Sequence, residues 1–204
     1  MVLVRTIHVF IKLIPVILAL RKDRILWISQ EGKNVDEKRF RRNAQRILNT
    51  CISLGPVFIK FGQWLSSRAD ILPQPYLEEL SKLQDSVPAV PFEKVRPIIE
   101  EDIGNIKEKF DDLDQNSLSG ASLGQVHLAT KNGQKVIVKV KRPGIEKQVE
   151  KDLKVLMKII PFAMKFVDPN LRFSIIPIMK QFVDSIHEEM DYSKESENLK
   201  KIKK

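Results

Sequence analysis

The feature that most constrains the fold is a change of pattern after Gly104, where helical spacing of apolar residues gives way to short alternating runs. Two such runs, residues 124–129 and 136–140, flank an Asn-Gly pair at 132–133, which is a strong signal for a β-hairpin. Side chains alternate between the faces of a strand, so the valines of the second run share one face and Lys139 points to the other. The sequence therefore predicts an antiparallel sheet with a lysine opposite its valine-rich core face.

Helical patterns flank this sheet on both sides in the sequence. Residues 36–103 have apolar side chains at helical spacing, interrupted by a Gly-Pro pair at 55–56, and we expect an all-helical module there. After the sheet, residues 145–166 return to helical spacing, and a last amphipathic stretch covers 174–201. The chain is therefore expected to have an α+β fold.

The basic charge of the chain is concentrated at its amino end. Lysine and arginine number 35 against 26 aspartates and glutamates, a net charge of +9, and residues 1–50 hold 11 basic and 4 acidic residues, or +7. Such a field favours anionic lipid surfaces or nucleic acid. The basic residues are not interleaved with aromatic ones as single-strand binders require, and no nucleic-acid motif is present. We therefore expect no nucleic-acid partner.

The apolar stretch at residues 7–20 could belong to a helix that spans or lies on a membrane. At 14 residues, with Lys12 and Pro15 inside it, the stretch is shorter than the roughly 20 residues that cross a bilayer. A secretory signal fits poorly because no small-residue cleavage site follows, and the single cysteine, Cys51, suits a reducing compartment. We expect a cytoplasmic protein that is not secreted, with this helix either lying on the inner face of the membrane or packing on the protein.

Two segments have the residue types of a phosphate site. Lys60 and Gln63 are three residues apart, so a cation and an amide share one helix face, although such a pair is ordinarily just solvated. In residues 118–126, small side chains would let backbone N–H groups approach phosphate oxygens, although loops rich in Ser and Gly usually only turn the chain. Neither pattern is specific by itself.

Carboxylates near the carboxyl end form a third candidate. Glu188, Asp191 and Glu195 are spaced by three and four residues, which on one helix makes a single acidic stripe whose default interpretation is a solvated face. The three histidines (His8, His127 and His187) are isolated and there is one cysteine, so we expect no metal site. No nucleophile-elbow pattern accompanies the serines, which argues against hydrolase chemistry of that type.

The segment Lys60-Phe61-Gly62-Gln63, with its continuation through residues 69–85, closely resembles the UbiB (AarF, or ADCK) family of atypical protein-kinase-like proteins. The resemblance covers about residues 36–200. It implies a kinase-like N-lobe, made of a small antiparallel sheet and an αC-type helix, with a large helical N-terminal extension and with the C-lobe absent.

On that resemblance we expect three parts. Residues 1–35 would be a basic amphipathic helical region, 36–104 the helical Lys-x-Gly-Gln module, and 105–204 the kinase-like N-lobe with a helical insertion at about 145–168. The module helix with Lys60, Gly62 and Gln63 would pack over the mouth of a nucleotide pocket.

The family's alanine-rich phosphate loop corresponds to Ala121, Ser122, Gly124 and Gln125 of this chain. The chain departs from the family at Gly120, where alanine is commoner, and this departure leaves the nucleotide preference open.

The resemblance implies roles for one lysine and three carboxylates. Lys139 would contact the α and β phosphates and pair with Glu195, as the third-strand lysine of kinases does with a helix glutamate. Glu189 and Asp191 would contact the Lys-x-Gly-Gln helix.

For the complete protein, the resemblance implies ATP or ADP with Mg²⁺ as cofactors, and a link to isoprenoid lipid and quinone metabolism at membranes. The catalytic groups of kinases lie in the larger lobe. We therefore expect this chain to be incomplete for catalysis, with a separate C-lobe polypeptide as one candidate partner. The alternative is a non-enzymatic scaffold that docks on a membrane or on a partner protein.

Overall fold

The computed structural model describes residues 2–31, 36–85, 88–163, 165 and 169–202. Contacts between Cα atoms divide the chain into two compact units. Residues 1–85 and 149–204 form the helical unit, and residues 86–148 form the sheet unit.

In residues 2–31 and 36–85, the described part of the first half of the helical unit, the chain forms four α-helices and a 3₁₀ helix. The Asp36 side chain accepts a hydrogen bond from the backbone N–H of Arg39 and so caps the start of α2. Gly55, at φ 100°, ends α2, and Pro56 occupies the first turn of α3, so the predicted break at 55–56 is confirmed. The elements are α1 (Val2–Ser29), α2 (Glu37–Leu54), α3 (Pro56–Leu65), α4 (Gln74–Ser81) and the 3₁₀ helix (Lys82–Asp85).

The core of this unit is built on one face of α2. Buried residues recur there at spacings of three and four, the period at which side chains of an α-helix share a face. Tyr76 and Leu80 of α4 and Leu83 of the 3₁₀ helix are also completely buried. The buried residues of α2 are Phe40, Ala44, Ile47, Leu48, Cys51 and Leu54.

Helix α1 is longer than the sequence analysis expected. It runs unbroken through Pro15, and the segment Leu3–Ser29, 27 residues, is long and apolar enough to cross a membrane by length and composition. The expectation of a stretch too short to span is therefore wrong on length, because the helix begins before Ile7 and continues to Ser29, although residues 21–24 are all charged. In the structure α1 packs on the helical unit, where Val9 is fully buried.

The described residues from 145 onward are almost entirely helical. Helix α7 (Ile145–Ala163) begins in the sheet unit and continues in the helical unit, where α8 (Pro169–Met190) and α9 (Tyr192–Ile202) follow. The expected single amphipathic stretch over 174–201 is wrong, because the chain breaks at Asp191. The break predicted at 168–170 falls partly outside the described residues.

In the sheet unit, helices α5 (Phe92–Ile103) and α6 (Ile106–Lys109) precede a three-stranded antiparallel sheet in the order β1-β2-β3. The predicted hairpin is confirmed, because β2 and β3 pair directly, with Lys131 opposite Gln134. Asn132 and Gly133 have φ values of 52° and 73°, the left-handed conformation that a two-residue hairpin turn of this kind requires. The strands are β1 (Asp112–Gly120), β2 (Gly124–Lys131) and β3 (Gln134–Lys141).

Helix α5 packs on one face of this sheet. Val95 and Ile99 of α5 form a buried cluster with Val140 of β3, and Val138 packs against it. The valine face of β3 is therefore the core face, as predicted, and Lys139 lies on the opposite face.

Candidate functional site

The predicted phosphate loop is the turn between β1 and β2. Only residues 121–123 lie outside the two strands, and Gly120 pairs with Gln125 at the base of the turn. The backbone N–H of Ala121 donates to the carbonyl of Gly124, 2.9 Å away, and the Ser122 side chain is buried. The turn is therefore short and closed by its own backbone.

Lys139 lies beside this turn in the sheet unit. Its partner in the register is Val126, and Lys141 is opposite Gly124 at the end of the turn. Two residues of extended strand span roughly 7 Å, so the Lys139 backbone lies about that distance from the base of the turn. A flexible lysine side chain can cover this length, and its three N–H donors suit phosphate oxygens.

Arg142 fixes the turn, a role that the sequence analysis missed. Its backbone N–H donates to the carbonyl of Leu123 at 3.1 Å, Nε donates to the carbonyl of Ala121 at 3.0 Å, and a terminal nitrogen donates to the carbonyl of Pro88 at 2.7 Å. Burial lowers the pKa of this guanidinium. The sequence signal for this role was the position of Arg142, a basic residue directly after the strand that carries Lys139.

The side chain of Gln125 has a structural position inside the sheet unit. Its amide exchanges two hydrogen bonds with the backbone of Val90, Oε1 accepting at 2.8 Å and Nε2 donating at 3.1 Å. The same Nε2 lies 2.8 Å from Nε2 of His127, whose Nδ1 lies 2.9 Å from the carbonyl of Asp114. A carbonyl only accepts, so His127 carries its proton on Nδ1, and both side chains are completely buried.

The helical unit holds the Lys-x-Gly-Gln motif on α3. Nζ of Lys60 lies 2.6 Å from Oε1 of Glu189, near the end of α8. Phe182, two turns earlier on α8, packs against the rings of Phe61 and Trp64 with centroid distances of 5.3 and 6.0 Å. The ion pair and the aromatic cluster hold α3 along α8, which is the contact that the resemblance implies for Glu189.

Gly62 and Gln63 face the 3₁₀ helix rather than open solvent. A Cβ atom on Gly62 would lie 2.4 Å from Cδ1 of Leu83 and 3.2 Å from Sγ of Cys51. Nε2 of Gln63 donates to the carbonyl of Leu83 at 2.9 Å. These two motif residues therefore fix the segment that follows α4, and a side chain at position 62 would prevent the close approach.

The acidic stripe predicted for Glu188, Asp191 and Glu195 does not lie on one helix. The Asp191 carboxylate accepts from the backbone N–H groups of Ser193 and Lys194, and so caps the start of α9. Tyr192, the residue after Asp191, is partly buried, and this burial together with the charges of Glu195 and Glu189 raises its pKa to about 12. Glu195 belongs to the helical unit and Lys139 to the sheet unit, and their pairing stays a prediction.

The described part of the chain contains no group of three His, Cys, Asp or Glu side chains placed to hold a metal ion. Nε2 of His187 lies 3.0 Å from Oε1 of Glu150. Cys51 is buried, and burial raises the pKa of its thiol to about 12.

A separate groove of about 430 Å³ lies in the sheet unit between α5 and β1. Its walls combine apolar side chains with charges of both signs, and they include neither Lys139 nor the turn. The lining residues are Phe92, Arg96, Glu100, Ile106, Lys107, Phe110, Asp111, Asp112, Leu113 and Gln115.

The chain is similar to atypical kinase-like proteins of plants and bacteria. The family model described as ABC1 atypical kinase-like domain matches residues 82–204. Protein ACTIVITY OF BC1 COMPLEX KINASE 8, chloroplastic, of Arabidopsis thaliana is 39% identical over 177 residues, which are 83% of this chain and 23% of that protein. Probable protein kinase UbiB of Marinobacter nauticus is 40% identical over 153 residues, which are 74% of this chain and 28% of that protein.

Nearly the whole chain, including its amino end, is matched by a second protein of Arabidopsis thaliana. Protein ACTIVITY OF BC1 COMPLEX KINASE 7, chloroplastic, of Arabidopsis thaliana is 34% identical over 204 residues, 98% of this chain and 29% of that protein. The chain thus spans between about a quarter and a third of the length of these relatives. Among solved structures, the complex of Rv3197 with erythromycin from Mycobacterium tuberculosis has a TM-score of 0.42 and 28% identity, over 65% of this chain and 34% of that one.

Proposed function

Because this chain belongs to the ABC1 atypical kinase-like family, we propose that its sheet unit binds an adenine nucleotide, ATP or ADP, with the phosphates held by residues 120–124 and Lys139. The supporting observation is the register that places Lys139 next to the β1–β2 turn, on the face away from α5. A lysine amine and closely approachable backbone N–H groups are the donors that phosphate oxygens require.

The other residues of the sheet unit support this role indirectly. Arg142 and the Gln125 amide hold the turn and the segment 88–90 in place, so the donors would be positioned before a nucleotide arrives. A bound Mg²⁺ would neutralise phosphate charge, and the resemblance implies that its carboxylate ligands come from the larger lobe of complete relatives. We assign no residue of this chain to Mg²⁺.

Thermal denaturation with increasing ATP or ADP and Mg²⁺ tests the proposal. A ligand at 100 times its dissociation constant stabilises the folded state by about 2.7 kcal/mol, so the melting temperature of the wild type should rise with nucleotide. Lys139→Ala should remove this rise. Lys135→Ala, on the same face of the same strand, is the matched control and should keep it; equal shifts in both variants would contradict the proposal.

The activity of the complete relatives extends the proposal beyond this chain. We propose ATP-dependent phosphoryl transfer or hydrolysis, linked to isoprenoid lipid and quinone metabolism, when a larger lobe is supplied in cis or in trans. The 204 residues by themselves should bind nucleotide without turning it over.

A second candidate function is docking on a membrane, at the face exposed to the cytoplasm. The supporting observation is the outward face of α1, where large apolar side chains are exposed, in a basic segment of the chain. Sedimentation with vesicles that contain anionic lipid tests it, and the result is independent of nucleotide binding.

A further inference from the structure

Helix α1 directs its charged side chains toward the protein at two points. Arg5 binds Asp152 of α7 through two hydrogen bonds, Nε to Oδ1 at 2.8 Å and a terminal nitrogen to Oδ2 at 2.9 Å, and it also donates to the carbonyl of Leu54. The Asp152 side chain is 1% exposed. This pair attaches the start of α1 to α2 and α7.

The second point lies near the end of α1. The completely buried Asp23 accepts from the Tyr76 hydroxyl at 2.7 Å and from the Asn43 amide at 2.8 Å, both at Oδ2, and Oδ1 forms an ion pair with Arg39. Arg24 beside it donates to the carbonyl of Ile71. Asp23 and Arg5 are 18 residues apart, about 27 Å along a helix, so both ends of α1 are held.

The outward face of α1 is apolar. Six of the seven large apolar side chains that α1 exposes, all but Leu3, follow one another at spacings of three, four or seven residues and so form a single stripe along the helix. We call this the outer stripe: Val4, Ile7, Ile11, Leu18, Ile25 and Ile28, with exposed fractions from 43% to 72%. Arg21 and Lys22 are the exposed charges beside its carboxyl half, and both are basic.

Although its inner face also buries the apolar Val9, α1 has an outward face that differs from that of a helix on a water-soluble protein. Such helices bury their apolar face and expose their charges, whereas helices in contact with lipid direct charges toward protein and apolar side chains toward hydrocarbon. Together with the basic flank, the outer stripe matches an anionic bilayer surface, because it combines apolar burial with attraction to anionic headgroups.

We propose that α1 lies in the plane of an anionic bilayer, with the outer stripe inserted and both inner attachments intact, and that it does not cross the membrane. This inference rests on the proposed membrane docking and specifies its orientation. Crossing would either break the contacts of Asp152 and Asp23 or draw the helices that carry their partners into the hydrocarbon. In-plane binding leaves both carboxylates paired.

Depth measurements on the full chain test the orientation. Four variants, Val4→Cys, Ile11→Cys, Leu18→Cys and Ile28→Cys, each provide a single labelling site for an environment-sensitive fluorophore. The labelled proteins are bound to vesicles of phosphatidylcholine and phosphatidylglycerol. Lipids that carry quenchers at known depths then report the depth of each label. Cys51 is buried with a raised thiol pKa and should not react. Glu37→Cys, on α2, is the water-exposed control.

In-plane binding predicts the same shallow depth at all four positions. Ile11→Asp should weaken vesicle binding at least tenfold, whereas Ile52→Asp, the same change at an exposed site on α2 outside the outer stripe, should leave it unchanged. Deep positions 11 and 18 between shallow positions 4 and 28 would mean that α1 spans, which overturns the inference and leaves membrane docking in place.

Two other outcomes would also overturn the proposed in-plane orientation of α1. Failure of the wild type to bind vesicles would remove the proposed membrane docking itself. Concentration-dependent dimerisation without lipid, abolished by Ile11→Asp, would assign the outer stripe to a second copy of the chain.

Discussion

Nζ of Lys60 lies 2.6 Å from Oε1 of Glu189, and this ion pair joins α3 to the end of α8 across 129 positions of sequence. Both side chains are partly exposed, 25% and 35%, so solvent screens the attraction. The pair is therefore better suited to fixing how two helices meet than to adding much stability.

A double-mutant cycle with Lys60→Ala and Glu189→Ala should give a coupling free energy of about 0.5–1 kcal/mol, because partly exposed pairs are worth that much at most. Denaturant unfolding of the four proteins provides the values, and added salt should reduce the coupling. The more exposed pair Glu37–Arg41 is the control and should show a smaller coupling. Additive effects of the two Lys60–Glu189 substitutions would mean that the contact contributes nothing.

Gly62→Ala should destabilise the chain by about 1–2 kcal/mol, because overpacking a core costs 1–3 kcal/mol and outweighs the gain in helix propensity. The clash is with Cδ1 of Leu83, 2.4 Å from the added Cβ. In a Leu83→Ala background the same substitution should become neutral or stabilising. Chemical denaturation measures all four proteins, and a more stable Gly62→Ala single variant would refute the packing explanation.

Gln125→Ala should cost about 2 kcal/mol, because it leaves the backbone N–H and carbonyl of Val90 and Nε2 of His127 without their partner. Gln134→Ala, at an exposed position of β3, is the matched control and should change stability by less than about 0.5 kcal/mol. Equal effects of the two substitutions would show that the buried amide is dispensable.

The two tyrosines of the chain should resist ionisation in the folded state. Burial and the carboxylate of Asp23 raise the pKa of Tyr76, and burial with the charges of Glu195 and Glu189 raises that of Tyr192 to about 12. A raised phenol pKa contributes stability that is fully present below the unfolded value of about 10 and is lost as the pH rises through the folded value.

The chain should therefore lose stability above about pH 10, and Tyr76→Phe should make this loss less steep. Tyrosinate absorbance across an alkaline titration reports the ionisation, and denaturant unfolding at each pH reports the stability. Ionisation of both phenols near pH 10 in the folded protein would contradict the burial argument.

The sheet was predictable because its signals are local. Asn132-Gly133 favours one turn type, and the alternation around Lys139 assigns each side chain of β3 to a face without knowledge of the rest of the chain. The break at Gly55-Pro56 followed in the same way from backbone conformations that glycine and proline favour.

Other features depend on contacts between distant residues. The spacing of Asp191 fits a position within one continuous helix, yet its carboxylate caps the start of α9. The local sequence does not distinguish a helix interior from a cap, because the difference depends on the fold. The inward charges of α1 could not be distinguished from solvated ones, because Asp152 and Tyr76, which pair with them, lie 147 and 53 positions away. Gln125 looked like part of a loop, and its amide proved to bind Val90 within the sheet unit.

The central claim is that the β1–β2 turn and Lys139 form a phosphate site. The backbone amide resonances of the ¹⁵N-labelled chain, recorded while ADP and Mg²⁺ are added, test it most directly. The account predicts saturable shifts at residues 120–124 and at Lys139, lost in Lys139→Ala and kept in Lys135→Ala. Shifts confined to the groove between α5 and β1, or no shifts at saturating nucleotide, would contradict it.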